Sequence, residues 1–238
     1  MNSFSTAREW EIDSSADSRV ISQFFNTVYA WMAVGLAWTG VVGYLVANNE
    51  SLLRIVYGGG PGMMVVFMLG LFAIAMVTQK AALRLGMAAG IGLFLLYATL
   101  MGALISGVFI VYSLDTLGAA FLVTGGVFAG MSVYGFVTKR DLTSIGSYAV
   151  MGLLGLFAAS LVNLFLANNA LSWLITYGVV LVTVIIIAYQ TQNLRGIALQ
   201  IGSDQALASR YAVVGSLILY IAFINLFLSI LRIIGDRR

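Results

Sequence analysis

The sequence contains no cysteine and no histidine. Together these absences remove disulfides, thiol nucleophiles, zinc and haem ligation, and imidazole proton transfer. No cofactor is expected. Proline is almost missing as well, the single instance being Pro61. Charge is scarce: Asp, Glu, Lys and Arg make up 9% of the 238 residues, against about 25% in an ordinary soluble domain. A chain of 25.5 kDa cannot hydrate its surface with so few charges. Its apolar surface has to face lipid, and membrane lipid is the first partner implied.

What remains is apolar. Hydrophobic residues make up 61% of the chain and the mean hydropathy is +1.00. A spanning helix needs roughly 20 apolar residues, and seven stretches qualify: Phe24–Ala47, Gly62–Gln79, Gly86–Val111, Thr116–Thr138, Ser144–Leu166, Leu171–Tyr189 and Tyr211–Leu231. The run from Leu142 to Leu194 is too long for one crossing, and Ala167-Asn168-Asn169 divides it. Helix is preferred to strand because the runs are long, lack strict alternation, and must satisfy their own backbone in lipid. The fold class is therefore an all-α membrane protein, a bundle of about seven transmembrane helices. Residues 1–23 read as a polar N-terminal tail without the apolar core of a signal peptide, and residues 24–238 as a single transmembrane domain.

The net charge of +3 matters less than its placement. Basic residues fill the gaps between apolar runs, which is a topology signal and not a nucleic-acid footprint. No nucleic-acid partner is expected. Arg8, Arg19, Lys80, Arg84, Lys139, Arg140, Arg195 and Arg210 fall on one side, and Arg54, Arg232, Arg237 and Arg238 on the other. The first group predicts a cytoplasmic N-terminus. The C-terminal arginines disagree with seven crossings and would suit a last segment that dips in and returns. The length of Tyr211–Leu231 favours a crossing.

Inside the spans, Gly86-x-x-x-Gly90 and Gly126-x-x-x-Gly130 predict close helix packing. Trp38, at mid-span, is expected to pack between helices, whereas Trp31, Tyr44, Tyr57, Tyr112 and Trp173 suit the interfaces. Among the amides, Asn163 and Asn225 are costly to leave unpaired in lipid and are expected to bond between helices. All nine acids, Glu9, Glu11, Asp13, Asp17, Glu50, Asp115, Asp141, Asp204 and Asp236, lie in tails, connections or helix ends. A chain with no histidine and no acid in mid-span lacks the usual general bases of intramembrane hydrolysis, so enzymatic activity is not expected. In the connection Lys139-Arg140-Asp141, the aspartate is expected to cap the helix starting near Ser144 or to pair with a basic neighbour.

Three separated blocks carry a resemblance. Tyr134-Gly-Phe-Val-Thr-Lys-Arg-Asp-Leu-Thr-Ser-Ile-Gly146 resembles the stretch after the fourth helix of the Bax inhibitor-1 (TMBIM) family. Ala188-Tyr-Gln-Thr-Gln-Asn-Leu194 is similar to that family's end of helix six, and Leu219–Gly235 to its last helix. Val28–Leu36 and Ile110-Val-Tyr112 also fit, nearest to the bacterial branch. The resemblance implies a bacterial cytoplasmic (inner) membrane protein with the last helix at the centre of the bundle. It also implies a leak of calcium or other cations. In the leak-forming members, aspartates on the last two helices form a pH-sensitive latch. Here Gln190 stands where the first aspartate would be and Ala222 where the second would be.

Removing one member of a buried pair can cost roughly 3–5 kcal/mol, while replacing both can be nearly neutral, so a joint loss is physically reasonable. Gln190 and Asn225 are then expected to take over bonding between helices, Asn225 sharing the face of position 222. Two functions stay open. One is a calcium or cation leak channel without the acid latch. The other is a non-conducting regulatory or assembly partner of other membrane proteins.

Overall fold

The computed structural model describes the backbone of residues 3–235 and the side chains of residues 18–235. Among the described residues the chain forms nine α-helices and no strand: α1 Ser3–Ala47, α2 Glu50–Tyr57, α3 Gly60–Leu85, α4 Met87–Leu104, α5 Gly107–Val111, α6 Leu114–Val137, α7 Thr143–Leu166, α8 Asn169–Ile201 and α9 Gln205–Ile234. Seven segments are long and apolar enough to cross a membrane, with α4 and α5 forming one interrupted segment over Met87–Val111. The protein is an all-α multi-pass membrane bundle. The expected tail is helical from Ser3 and continuous with the first span. Asp236, Arg237 and Arg238, and the side chains of Arg8, Glu9, Glu11, Asp13 and Asp17, lie outside the described residues.

The helix ends follow local chemistry. Asn49, Ser113, Asn168 and Asp204 each accept a backbone N–H from the first turn of the helix they precede, satisfying one of the amides a helix leaves open there. Gly86 turns α3 into α4 at φ +102°, a conformation L side chains rarely adopt. The α7–α8 turn uses Ala167 in the left-handed region, at φ 49°, and so divides the long apolar run at the expected place.

Helix α9 packs against α1, α3, α4, α6 and α8. More than half of its apolar window, 56%, is buried inside the protein, against 6% for α3 and for α7. The last described helix is thus the core of the bundle, as the resemblance implied, while α3 and α7 present most of their surface outward. Tyr220, Leu217, Leu219 and Leu226 of α9 are fully buried, and Phe94, Ala98 and Ala120 close around them.

Contacts between distant parts of the chain define two ends. Arg210 near the start of α9 donates to the Leu83 carbonyl at the end of α3 (3.2 Å), and Arg195 of α8 to the Phe136 carbonyl at the end of α6 (2.8 Å). At the other end, Arg232 lies over the Trp173 ring (5.3 Å to its centroid), and Gly235 abuts the ring of Tyr112. Helix α9 therefore runs from one end to the other without doubling back. A returning last segment is not what forms.

The two glycine motifs do not pack as expected. Gly86 is a turn residue and not part of a helix face. Gly90 is tight, since a Cβ there would lie 2.7 Å from the Ala82 Cβ. Gly126 and Gly130 face open space. Close approach is achieved by residues outside either motif: Gly102 against the Thr39 carbonyl, and Gly135 against the backbone of Ala188.

Candidate functional site

The centre of the bundle holds a small hydroxyl network. Thr39 of α1 is 1% exposed and Tyr220 of α9 is 0% exposed. Thr39 Oγ1 lies 2.8 Å from the Gly35 carbonyl, 3.2 Å from the Ala98 carbonyl and 2.5 Å from the Tyr220 hydroxyl. A threonine hydroxyl carries one proton, and the carbonyls can only accept. That proton goes to the carbonyls, so Tyr220 donates its own to Thr39. The Thr39 hydroxyl thereby joins α1 to α9 through Tyr220 and reaches α4 at the Ala98 carbonyl. Phe94 and Tyr97 of α4 meet the Tyr220 ring edge to face, with centroids 5.4 and 5.9 Å away. One turn toward the start of α9, Ser216 is within reach of both the Val28 carbonyl (2.8 Å) and the Ala212 carbonyl (2.7 Å), again linking α9 to α1.

The positions matching the latch lie on two packed helices. Ala222 is 4% exposed and sits just past the middle of α9, beside Phe223. Gln190 is half-buried on α8 and Asn225 half-buried on α9. Neither amide makes a hydrogen bond among the described residues, in contrast to the expected exchange of helix bonds. In the centre of the bundle the polar links to α9 go through Thr39, to the Tyr220 hydroxyl, and through Ser216, to the Val28 carbonyl. Of the amides named from sequence, Asn163 does bond: its Nδ2 donates to Ser172 Oγ (2.7 Å), and its Oδ1 accepts the Asn168 N–H (3.1 Å). It secures the α7–α8 turn.

Lys139, Arg140 and Asp141 are brought next to the end of α8. Gln192, the second glutamine of the Gln190-Thr-Gln192 segment, accepts the Leu142 N–H (2.9 Å) and donates to the Arg140 carbonyl (2.8 Å). Arg195 covers the Phe136 ring from above, 5.2 Å from its centroid. Asp141 accepts the Thr143 N–H (2.8 Å) at the start of α7. Hydrogen bonding to Thr143 holds its carboxyl below the usual range. Leu142, not Asp141, holds the N-cap position of α7; Asp141 satisfies the first helical N–H from one residue earlier and makes no ion pair among the described residues.

At the opposite end, α4 and α5 break apart around Ile105 and Ser106. Tyr57 of α2 fills the break: its hydroxyl donates to the Leu104 carbonyl (2.8 Å) and accepts the Gly107 N–H (2.9 Å). Two cavities adjoin there. The outer one, about 410 Å³, is lined by Tyr57, Gly107, Tyr112 and Leu228. The inner one, about 280 Å³, is lined by Phe109, Leu117, Phe223 and Phe227 and reaches Thr39. Ile105 and Val108 form a wall common to both, so the two cavities lie side by side between that end of the bundle and Thr39. Trp38, expected between helices, is instead 45% exposed, with its indole N–H donating to Thr99 Oγ1 (2.8 Å). The N–H needs a partner in lipid, and the bond supplies one while the ring faces outward.

Comparison with known proteins bears on the whole bundle. The family model described as inhibitor of apoptosis-promoting Bax1 matches residues 21–238. The inner membrane protein YbhL of Escherichia coli strain K12 is 40% identical over 223 residues, covering 92% of this chain and 93% of the relative. A protein of Borreliella burgdorferi is 36% identical over 217 residues, covering 91% and 93% respectively. A membrane protein of Streptococcus pyogenes serotype M3 is 32% identical over 218 residues, covering 90% and 93%.

Proposed function

This chain belongs to the Bax inhibitor-1 family, and on that premise we propose that it is a slow cation leak of the bacterial inner membrane, closed at its centre by hydroxyl groups. Enzymatic activity has no part in this reading. The observation that carries it is the pair of adjoining cavities, the inner of which reaches Thr39, the hydrogen-bond partner of Tyr220. Cavities placed in series toward a hydrogen-bonded contact have the form of a closed conduit. Its walls are chiefly apolar, and moving an ion past them is expensive, so any flux is small. The cytoplasmic N-terminus read from the basic residues belongs to the same proposal, and puts the mouth beside Tyr57 and Tyr112 on the non-cytoplasmic side.

Regulation by acid is not expected. A carboxylate at position 190 or 222 would titrate, and two together would couple, but an amide and a methyl group do neither. Calcium or monovalent cation flux into proteoliposomes should be flat from about pH 5 to 8. Tyr220→Phe, which removes the donor to Thr39, should raise it. The double change Gln190→Asp plus Ala222→Asp should introduce a pH-dependent step. A steep pH response in the unmodified protein would reject the latch-free reading. No flux in either the wild type or Tyr220→Phe would favour the second reading, a non-conducting partner of other membrane proteins. That alternative draws support from α3 and α7, whose apolar windows are 6% buried and which present long unpartnered faces.

A further inference from the structure

Arg232, in the last turn of α9, makes no salt bridge among the described residues, and its Nε is buried without a hydrogen-bond partner. A guanidinium stays charged at any pH the protein meets, and a buried N–H without an acceptor is costly. The ring of Trp173 supports one side of the group at 5.3 Å, but a ring face does not replace an oxygen acceptor for Nε. The described acids, Glu50, Asp115, Asp141 and Asp204, line no part of this site.

Arg232 opens onto a cavity of about 420 Å³ whose polar wall is Ser160, Asn163, Asn169 and Ser172. The cavity also lies at the start of the 33-residue α8. Asn168 there takes the Leu171 N–H, and the amides before it carry the positive end of the helix dipole. The Oγ of Ser172 accepts from Asn163 and keeps its own proton free to donate. A permanent cation, a helix start and a free hydroxyl converge on one cavity at the bundle's end. That set of donors asks for an anion with several oxygens.

We propose that this cavity binds a phosphate oxyanion, held by Arg232 and the start of α8. Two sources carry that chemistry: the headgroup of an anionic phospholipid whose chains lie along the bundle, and inorganic phosphate from solution. The site does not depend on whether the protein conducts.

The test uses the full-length protein in detergent, stripped of lipid. Native mass spectrometry with dioleoylphosphatidylglycerol, and with dioleoylglycerol as the phosphate-free control, reads the lipid source. Thermal unfolding in increasing inorganic phosphate, against chloride at matched ionic strength, reads the free anion. The wild type should retain phosphatidylglycerol over dioleoylglycerol, or gain thermal stability from phosphate, and the responding arm identifies the source. Arg232→Gln should weaken that response by about tenfold or more, as expected for losing a charge-assisted hydrogen bond. Arg232→Lys should keep part of it through charge alone. Ser172→Ala, which leaves Arg232 over Trp173, should weaken it by a smaller factor and guards against misfolding of the arginine variants. The proposal is overturned if the wild type responds in neither arm, or if folded Arg232→Gln responds as the wild type does.

Discussion

At one end of the bundle, long side chains tie one helix to the end of another; at the other, a helix is broken and a tyrosine bridges the break. Arg195 and Arg210 each reach the end of another helix and occupy a carbonyl there, and Gln192 bonds the Arg140 carbonyl in the α6–α7 connection. The opposite end has a broken helix, two adjoining cavities, a third beside Arg232, and a tyrosine in place of a connecting loop. The difference shows how a chain with few charges distributes rigidity. Helix termini carry unpaired carbonyls that lipid cannot satisfy. Long basic and amide side chains cap them at one end, where cavities of about 270 and 210 Å³ remain between the helices, and Tyr57 bridges the broken helix at the other.

Substitutions can break that contrast. The largest effect is expected at Gly135, where α6 touches α8 near the end held by Gln192 and Arg195. A Cβ there runs into the Ala188 backbone, which cannot move aside as a side chain would. Gly135→Val should cost about 3 kcal/mol or more, read as a lowered unfolding temperature in detergent. Unchanged stability would mean that the two helices separate freely, and that the end held by Gln192 and Arg195 is not rigid.

A paired experiment sharpens the comparison. Gln192→Leu loses both bonds to the 140–142 connection, and Tyr57→Phe loses both bonds across the α4–α5 break. Each should cost roughly 1–3 kcal/mol. Their consequences should stay local. Hydrogen exchange should rise over residues 138–143 in the first variant and over residues 104–112 in the second. Exchange rising at both ends in either variant would show a single cooperative unit, and the contrast between the ends would fail.

The smallest effect belongs to Asp141. Its folded carboxyl titrates below the ordinary value, so its contribution is present above the unfolded pKa. That contribution is lost as pH falls through the lowered folded value. Asp141→Asn should insert normally, lower thermal stability only slightly at neutral pH, and erase the difference from wild type in strong acid. A large loss of folded protein would place Asp141 in a wider network than its bond to Thr143.

The seven spans were legible because apolar length is a one-dimensional signal that lipid imposes directly. Helix ends were less so. The structure carries α8 to Ile201, beyond the expected Tyr189, because Gln190–Gln200 continue the helix with polar residues that hydropathy counts as a connection. Helix α9 starts at Gln205 for the same reason, six positions before the apolar run at Tyr211. Within the candidate site, Asn163 was readable from the cost of a lone amide. Thr39 and Tyr57 were not, since their partners lie 181 and 47 residues away respectively. Nothing in the spacing of Gly126 and Gly130 distinguishes an open face from a packed one. That depends on which neighbour arrives.

The central place of α9 also has a consequence for how the protein is made. Synthesis runs from the N-terminus, so α1 to α8 are made before the helix that α1, α3, α4, α6 and α8 pack against. Until then the Thr39 hydroxyl and the Val28 carbonyl lack their partners on α9, and the slot they border has to stay open or be held by lipid. Helix–helix contacts made early, such as those of α3 with α4 and α7 with α8, need no help from α9. They can form two preassembled pairs waiting on either side of the slot. The native core then closes in one late event, so a ribosome stalled before Gln205 should leave a chain that is fully inserted and still unlocked.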